Sequence, residues 1–201
     1  MSEHYYSATP TSRSELREFE IAARGVRLRL TTDAGVFSKG KLDTGTELLI
    51  ESLPLVPEIR TVFDLGCGYG PIGLTVASLL PQVTVYMGDV NERAVELAVK
   101  NADRNGIRNV VIRAGEGFTP FPDQQFDLVV TNPPIRAGKR VIYSLVGEAG
   151  HALNPGGMLT AVILTRQGAK SLERKMEEVF GNVVELEKGS GYRVVMSRQN
   201  G

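Results

Sequence analysis

From Thr61 onward, segments with the periodicity of strands alternate with segments with the periodicity of helices. The candidate strands are 61–65, 83–88, 109–113, 126–131, 158–164, 182–187 and 192–197, and the candidate helices are 71–80, 91–104, 139–152 and 168–180. Such alternation is typical of an α/β fold, in which helices cover both faces of a mostly parallel sheet. Because crossover connections are right-handed, the sequence predicts a doubly wound sheet of seven strands whose ligands bind at the carboxyl ends of the strands.

Two shorter patterns complete the predicted fold. Residues 188–191 are too few for a crossover helix, so the final strand is expected to run antiparallel to its neighbour. Ahead of the alternating region, apolar and polar residues alternate on either side of Arg24-Gly25, which predicts an N-terminal β-hairpin. Residues 46–53 have the pattern of a short helix between the hairpin and the first core strand.

Length and composition limit the class of protein. A chain of 201 residues can bury the core of one large domain, and we expect a single domain over 1–201, with an N-terminal extension over 1–45 and a catalytic core over 46–201. No apolar run approaches the roughly 20 residues that span a bilayer, and the first residues lack the pattern of a secretory signal. Cys67 is the only cysteine, which fits a reducing compartment, so the sequence favours a cytoplasmic protein without a membrane anchor.

The stretch Asn132-Pro133-Pro134-Ile135 directly follows the apolar strand 126–131. Each proline fixes its own φ, lacks an N–H and restrains the residue before it, so the strand is expected to end in a rigid turn with unpaired carbonyl groups. The Asn132 side-chain oxygen and the main-chain carbonyls of such a turn are able to accept both hydrogens of a planar amino group. We interpret the turn as a catalytic site that makes an amine or amide nitrogen nucleophilic.

A glycine-rich segment, from Asp64 to Pro71, follows the first core strand and opens the next helix. Glycines at a helix N-terminus let the backbone approach a ligand, but this spacing fits both a dinucleotide and another nucleoside. Asp89, at the end of the next strand, is placed to accept both ribose hydroxyls in either case. Asp64 favours S-adenosylmethionine (SAM), which has an ammonium group, over NAD, which has none. Its alternative role is to accept hydrogen bonds from the N–H groups of its own loop.

Charge patterning gives only local support for a nucleic-acid partner. Lysine and arginine together number 23, as do aspartate and glutamate, so the chain as a whole has no basic field. A local cluster is expected after the Pro-Pro turn, and we interpret its members as contacts to substrate phosphates, with solvated surface charge as the alternative. The cluster consists of Arg136, Lys139 and Arg140, and Lys39 and Lys41 lie in a loop upstream. The two histidines pair with no cysteine, so we expect no metal site.

Together, these motifs resemble those of class I SAM-dependent methyltransferases. They are most similar to the methyltransferase small family, which includes the bacterial 16S ribosomal RNA guanine-N2 methyltransferases and single-domain relatives. The resemblance runs nearly end to end, and the stretch from Asn132 to Lys139 is its most specific part. The other matching segments are Gly35-Val36-Phe37-Ser38 with Asp43, Gly45 and Thr46, Asp64 to Gly70, Asp89-Val90-Asn91, Gln167-Gly168-Ala169-Lys170 and Gly191-Tyr192-Arg193-Val194. The resemblance implies a Rossmann-like sheet and SAM as the cofactor.

For the cofactor site, the resemblance implies residues around each part of SAM. They are Asp64, Gly66, Gly68 and Gly70 around the methionine, Asp89 on the ribose, Val90 and Glu116 at the adenine, and Asn132. Two positions depart from the family pattern. Gly115-Glu116-Gly117 stands where Ser-Asp-Leu is usual, and Ile135 stands where adenine-N6 and glutamine methyltransferases carry an aromatic residue that stacks on the target. Ile135 therefore favours the guanine-N2 branch. The resemblance implies no role that we can derive for Gln167, Tyr192 or Arg193.

The function that these features indicate is direct in-line transfer of a methyl group from SAM to the exocyclic N2 of a guanine in small-subunit ribosomal RNA. The nearest alternative is an N-methyltransferase that acts on DNA adenine or a protein glutamine. Two further alternatives are an NAD-dependent dehydrogenase and a SAM-binding ribosome-assembly factor that is not an enzyme. Because basic groups are few, we expect the substrate to be a small ribosomal subunit or an assembly intermediate rather than free RNA. The sequence leaves the oligomeric state open, with a monomer favoured.

Overall fold

The computed structural model describes residues 15–33, 41–133 and 138–200, and within them it contains a seven-stranded and a two-stranded sheet. The strands are β1 (Leu16–Ala23), β2 (Val26–Asp33), β3 (Thr61–Leu65), β4 (Thr84–Asp89), β5 (Val110–Ala114), β6 (Phe126–Thr131), β7 (Leu153–Leu164), β8 (Val184–Gly189) and β9 (Tyr192–Arg198). The helices are α1 (Thr44–Ser52), α2 (Pro71–Leu79), α3 (Glu92–Arg104), α4 (Lys139–Ala152) and α5 (Ala169–Phe180), and a 3₁₀ turn covers Thr165–Gln167. The predicted alternation of strands and helices is confirmed.

The large sheet has the strand order β5-β4-β3-β6-β7-β9-β8. Neighbouring strands from β5 to β7 are parallel, whereas β9 is antiparallel to both β7 and β8. The expected antiparallel final strand is therefore confirmed. Its position between β7 and β8, rather than at the sheet edge, was not predicted, because strand periodicity does not reveal which side of its partner a hairpin strand occupies.

Helices cover both faces of this sheet, as predicted for a doubly wound fold. Neighbouring residues of β3 point to opposite faces: Val62 joins the core beneath α1, α2 and α3, and Phe63 joins the core beneath α4 and α5. Both side chains are fully buried, as are Val129 and Val130 of the adjacent strand β6. Because the central strands are buried on both faces, their sequences are continuous apolar runs rather than an alternation of apolar and polar residues.

The N-terminal hairpin pairs β1 with β2 over their whole length, from Leu16 opposite Asp33 to Ala23 opposite Val26. The connecting residues Arg24 and Gly25 both have positive φ, 48° and 80°, as a two-residue hairpin turn of the primed type requires. The hairpin that the sequence predicts is thus present, and it lies against the outer side of α2 and α3.

Asn101 of α3 fastens this hairpin to the glycine loop. Its side chain is fully buried; Oδ1 accepts from the Thr31 backbone N–H at 2.7 Å, and Nδ2 donates to the Thr31 and Tyr69 carbonyls at 3.0 and 2.9 Å. One amide therefore satisfies three backbone groups that are otherwise cut off from water.

Substituting Asn101 by leucine is expected to lower the free energy of unfolding by about 3 kcal/mol, since each unsatisfied buried polar group costs about 1–3 kcal/mol. Asn105→Ala is a matched control, because Asn105 makes the same pair of bonds to the Arg29 backbone at 2.9 and 2.8 Å, but in an exposed setting where water replaces them. Urea denaturation of both variants measures the difference. Equal losses would show that burial of the Asn101 network does not matter.

Strand β7 begins earlier than predicted, at Leu153 rather than at residue 158. Its pairing with β6 shifts between Phe126 and Leu128, where Asn154 to Gly157 are inserted. Gly157 has no room for a Cβ, which would lie 2.8 and 2.9 Å from backbone oxygens of Asn154 and Phe126. The Pro-Gly-Gly sequence that resembles a loop is thus a bulged start of the strand.

Candidate active site

Strands β3 and β6 lie side by side where the direction of winding reverses, because β4 follows β3 on one side and β6 lies on the other. In an open α/β sheet this reversal leaves a crevice at the carboxyl ends of the strands, where ligands bind. The register pairs Asp64 with Val130, so Asn132 emerges alongside the start of the glycine loop. The Thr131 hydroxyl donates to the Leu65 carbonyl at 2.8 Å and fixes the two strand ends together.

Asp64 lies near the buried carboxyl end of β3, and only one of its two carboxylate oxygens has a hydrogen-bond partner among the described residues. The residue has no exposed surface, and Oδ2 accepts a hydrogen bond from the Gly73 N–H of α2 at 2.8 Å. The other oxygen, Oδ1, has no hydrogen-bond partner among the described residues. Gly73 is needed for this approach, since a Cβ there would lie 3.0 Å from Oδ2 and 2.8 Å from Met87 Cγ.

Burial raises the pKa of Asp64 from 3.8 to about 7, because desolvation penalises the charged form. The Gly73 hydrogen bond opposes this rise, and the negative charge of Asp89 adds to it. A buried carboxyl group with one unpartnered oxygen, beside a second carboxylate, is an environment that a cationic ligand would stabilise.

Asp89 connects the glycine loop to the next strand. Its Oδ2 accepts from the Gly68 N–H and its Oδ1 from the Asn91 N–H, both at 2.9 Å, while Asn91 caps the N-terminus of α3. Through these two bonds the carboxylate fixes the glycine loop against the carboxyl end of β4. Gly66 has φ +76° and open space where a Cβ would stand, so the loop offers unobstructed backbone at this point.

Asn132 is held from one side by the N-terminus of α1. Its Nδ2 donates to Thr46 Oγ1 at 3.0 Å and to Asp43 Oδ2 at 3.3 Å, and the side chain is partly buried. The same Asp43 oxygen caps α1 by accepting from the Thr46 N–H at 3.1 Å. Among the described residues, the Asn132 side-chain oxygen accepts no hydrogen bond, so the amide is tied to α1 through its nitrogen alone.

The remaining predicted site residues fall into two groups. Among the described residues, Pro133 and Gly70 are buried, Val90 is half-buried, and Glu116, Lys139, Arg140 and Lys41 are exposed. Pro134, Ile135, Arg136 and Lys39 lie outside the described residues, so their roles remain predictions. Cys67 is a buried small residue, and its pKa is well above the ordinary value because of burial and the charges of Asp64 and Asp89, as expected for a packing residue rather than a nucleophile.

Sequence reasoning did not predict the contacts that four residues make in this region. They are Asp43, Thr46, Gly73 and Arg166. Asp43 and Thr46 have a detectable signal, because an Asp directly before a helical segment is an N-cap pattern, in which its side chain accepts from the N–H three residues later. Exposed Arg166 follows β7, and its charge lowers the pKa of Tyr192, which burial and Asp43 raise overall. Arg166 and Asp43 thus act with opposite signs on the pKa of the same side chain, Tyr192.

Two negative findings concern the described residues only. In 15–33, 41–133 and 138–200, no cluster of three or more metal-ligating side chains is found. Over the same ranges, no helix has both the length and the apolar content to cross a membrane.

Comparison with known proteins identifies relatives of the whole fold. The methyltransferase small domain model matches residues 27–196. The uncharacterized protein YbxB of Bacillus subtilis is 43% identical over 201 residues, covering 99% of this chain and 100% of that protein. The ribosomal RNA small subunit methyltransferase C of Hahella chejuensis is 37% identical over 151 residues. This match covers 73% of this chain and 43% of the Hahella protein.

A solved structure agrees with these sequence matches. This structure is the T. thermophilus 16S rRNA N2 methyltransferase in complex with AdoMet and guanosine. It superimposes on this protein with a TM-score of 0.83 at 29% sequence identity, and the match covers 95% of this chain and 52% of the T. thermophilus chain. The chain thus spans about half the length of the rRNA methyltransferases it matches. The family model covers most of the chain, and the Bacillus subtilis protein is similar over its full length. The chain therefore belongs to the methyltransferase small domain family, a family of SAM-dependent methyltransferases.

Proposed function

We propose that this protein transfers a methyl group from SAM to the exocyclic N2 of a guanine in small-subunit ribosomal RNA. The observation that carries the proposal is the Asn132 amide, which α1 holds by its nitrogen at the strand end beside the glycine loop. The similarity to ribosomal RNA small subunit methyltransferase C, and to a 16S rRNA N2 methyltransferase that binds guanosine, supports guanine as the target.

The residues at the carboxyl ends of β3 and β4 fit SAM. The unpartnered oxygen of Asp64 suits a ligand ammonium group, and the resemblance implies that the Asp89 carboxylate, at the end of β4, binds the ribose hydroxyls. The open face of Gly66 gives a ligand access to the backbone. When bound, SAM would supply an electrophilic methyl group on a sulfonium, whose positive charge is lost from sulfur on transfer.

Asn132 addresses the difficulty of methylating an amino group on a purine. The lone pair of such a nitrogen is delocalised into the ring, which makes it a poor nucleophile. Hydrogen bonds from its two N–H groups to Asn132 Oδ1 and to the Pro133 carbonyl would hold the nitrogen toward tetrahedral geometry and direct its lone pair at the methyl carbon. The N–C bond would form as the C–S bond breaks, S-adenosylhomocysteine would leave, and the extra proton on the nitrogen would pass to solvent water.

The start of α4 supports an anionic substrate. Its N-cap, Gly138, provides no side-chain hydrogen bond, and its first turn contains Lys139 and Arg140, both exposed. Positive charges at a helix N-terminus interact unfavourably with the helix dipole, so Lys139 and Arg140 destabilise the first turn of α4. These two positive charges would attract phosphates, and a local sequence that is unfavourable for its own helix is expected at a functional site.

SAM affinity is expected to depend on pH through Asp64. Because its pKa is raised from 3.8 to about 7, the carboxyl group is mostly protonated in the free protein below pH 7 and has to ionise to pair with a cation. The dissociation constant should therefore fall by about tenfold for each pH unit between about pH 5 and pH 7, and level off above. Calorimetric titration with SAM across this range measures it. A flat profile would mean that Asp64 does not pair with the ammonium group.

The substrate is tested with isotopically labelled SAM and small ribosomal subunits from a strain that lacks this protein. The proposal predicts label in the RNA, recovered as N2-methylguanosine at one position after nuclease digestion and mass spectrometry. Subunits from the parent strain are the control and should accept little label. Label in N6-methyladenosine, in DNA or in protein would overturn the guanine assignment.

A further inference from the structure

The hydrogen bonds around Asn132 determine which end of its amide faces the crevice. Asp43 Oδ2 is a carboxylate oxygen and only accepts, so the group that lies 3.3 Å from it has to be the amide nitrogen of Asn132. The Thr46 hydroxyl donates to the same Asp43 oxygen at 3.4 Å, which leaves a lone pair for the Asn132 nitrogen at 3.0 Å. In the flipped orientation the amide oxygen would face the Asp43 carboxylate, and Thr46 could donate to it only by giving up its own bond to Asp43, so the observed orientation is favoured.

The N-terminus of α1 is itself held rigidly, so it is a firm support for this amide. The Glu47 N–H donates to the Asp43 carbonyl at 2.9 Å, and the Asp43 side chain caps the Thr46 N–H. Gly45, buried between them, touches the ring of Tyr192, since a Cβ there would lie 2.7 and 2.8 Å from two ring carbons. Tyr192 of β9 thus packs directly against the turn that carries both acceptors.

We propose that Asp43 and Thr46 are positioning residues that orient the Asn132 amide with its oxygen toward the substrate amino group, and that Tyr192 supports them through Gly45. The inference rests on the proposed function, because it assigns a task to the Asn132 oxygen. It also gives Tyr192 a role that its sequence pattern alone did not. Neither Asp43 nor Thr46 needs to touch the substrate for the effect.

The first test is a pair of substitutions at Thr46. Thr46→Val keeps the shape of the side chain but removes the acceptor, and the turnover number (kcat) on small ribosomal subunits should fall by about 10- to 100-fold with the KM for SAM unchanged. Thr46→Ser keeps the hydroxyl and should restore most of the turnover. Thr160→Val is the matched control: this residue of β7 is fully buried, and its hydroxyl has no hydrogen-bond partner among the described residues, so kcat should not change.

The second test separates capping of α1 from positioning of Asn132. Ser and Asn are about as effective as Asp at an N-cap, so Asp43→Ser and Asp43→Asn should both keep Tm within about 2 °C of the unsubstituted protein. The asparagine has an oxygen that reaches as far as Asp43 Oδ2, whereas the serine side chain is one bond shorter. We expect kcat to stay near normal in Asp43→Asn and to fall about tenfold or more in Asp43→Ser.

A measurement that needs no substrate completes the design. The side-chain ¹⁵N–¹H₂ resonance of Asn132, identified by its loss in Asn132→Ala, should show slow hydrogen exchange in the unsubstituted protein and faster exchange in Thr46→Val. Normal kcat in Thr46→Val, equal losses in the two Asp43 variants, or unaltered exchange would overturn the inference. If the subunits accept no methyl group from the unsubstituted protein, the proposed function fails, and the exchange rates alone then decide the positioning role.

Discussion

Asn132→Ala is expected to reduce methyl transfer to small ribosomal subunits by about 10²–10³-fold, the usual cost of removing one preorganised polar group from a reacting centre. The substitution removes the oxygen that would accept from the substrate amino group, together with the nitrogen that Thr46 and Asp43 hold. SAM affinity should stay within about threefold of normal, because the described polar contacts of the predicted cofactor site come from β3, β4 and the glycine loop. Calorimetry and single-turnover kinetics measure the two quantities separately.

Asn154→Ala is a suitable control for this substitution. Asn154 lies at the other end of the same sheet, where its amide donates to Asp127 at 2.7 Å, so the change is chemically identical but distant from the crevice. It should leave kcat and SAM affinity unchanged. An Asn132→Ala protein that turns over at the normal rate would refute the catalytic role of this side chain, and one that loses SAM binding instead would make it a cofactor residue.

Asp64→Asn is expected to weaken SAM binding by about 30-fold or more, since removal of one partner from a buried charge pair costs at least about 2 kcal/mol. The amide keeps the shape of the side chain and an oxygen for the Gly73 N–H, so the loss reports on charge. The variant should also lose the pH dependence of SAM affinity. Asp103→Asn, an exposed carboxylate paired with Arg108, is the control and should bind SAM normally.

The same substitution should not destabilise the cofactor-free protein at alkaline pH. The folded-state pKa of Asp64, about 7, lies above the unfolded value of 3.8, so its contribution to stability is present at low pH and is lost as pH rises toward 7. Above pH 7 the buried carboxylate is a cost that asparagine removes. At pH 8, Tm of Asp64→Asn without SAM should therefore equal or exceed that of the unsubstituted protein. A clear fall in Tm, accompanied by weaker SAM binding, would indicate a structural rather than an electrostatic role for the carboxylate.

The sheet and the order of its elements were predictable because each depends on local pattern. The buried strands are apolar runs bounded by turn residues. The segment 188–191 is too short for a crossover, and in the structure only Ser190 and Gly191 separate β8 from β9, so the last strand has to reverse. The bulge at the start of β7 was missed because Pro155-Gly156-Gly157 has the composition of a loop, and only its pairing with β6 makes it part of a strand. The interior position of β9 depends on packing across the sheet, which local periodicity does not contain.

The candidate site was predictable where its residues come from one motif and not where they meet across the fold. Asp64 lies at the carboxyl end of β3, the glycines follow β3 and Asn132 follows β6, so a parallel sheet brings them to the same edge. The contact between Asn132 and Asp43 joins residues 89 positions apart, and the Gly45 contact with Tyr192 joins α1 to β9. No spacing rule connects these segments, although both belong to the stretches that resemble the methyltransferase small family.

The most direct test of the account is a crystal structure of this protein with SAM and guanosine bound together. We expect Asn132 Oδ1 and the Pro133 carbonyl to accept hydrogen bonds from the guanine N2, with Asn132 Nδ2 still donating to Thr46 and the SAM methyl carbon in line with N2. A methyl carbon that faces away from Asn132 Oδ1, or a crevice with no room for a purine edge between them, would contradict the central claim.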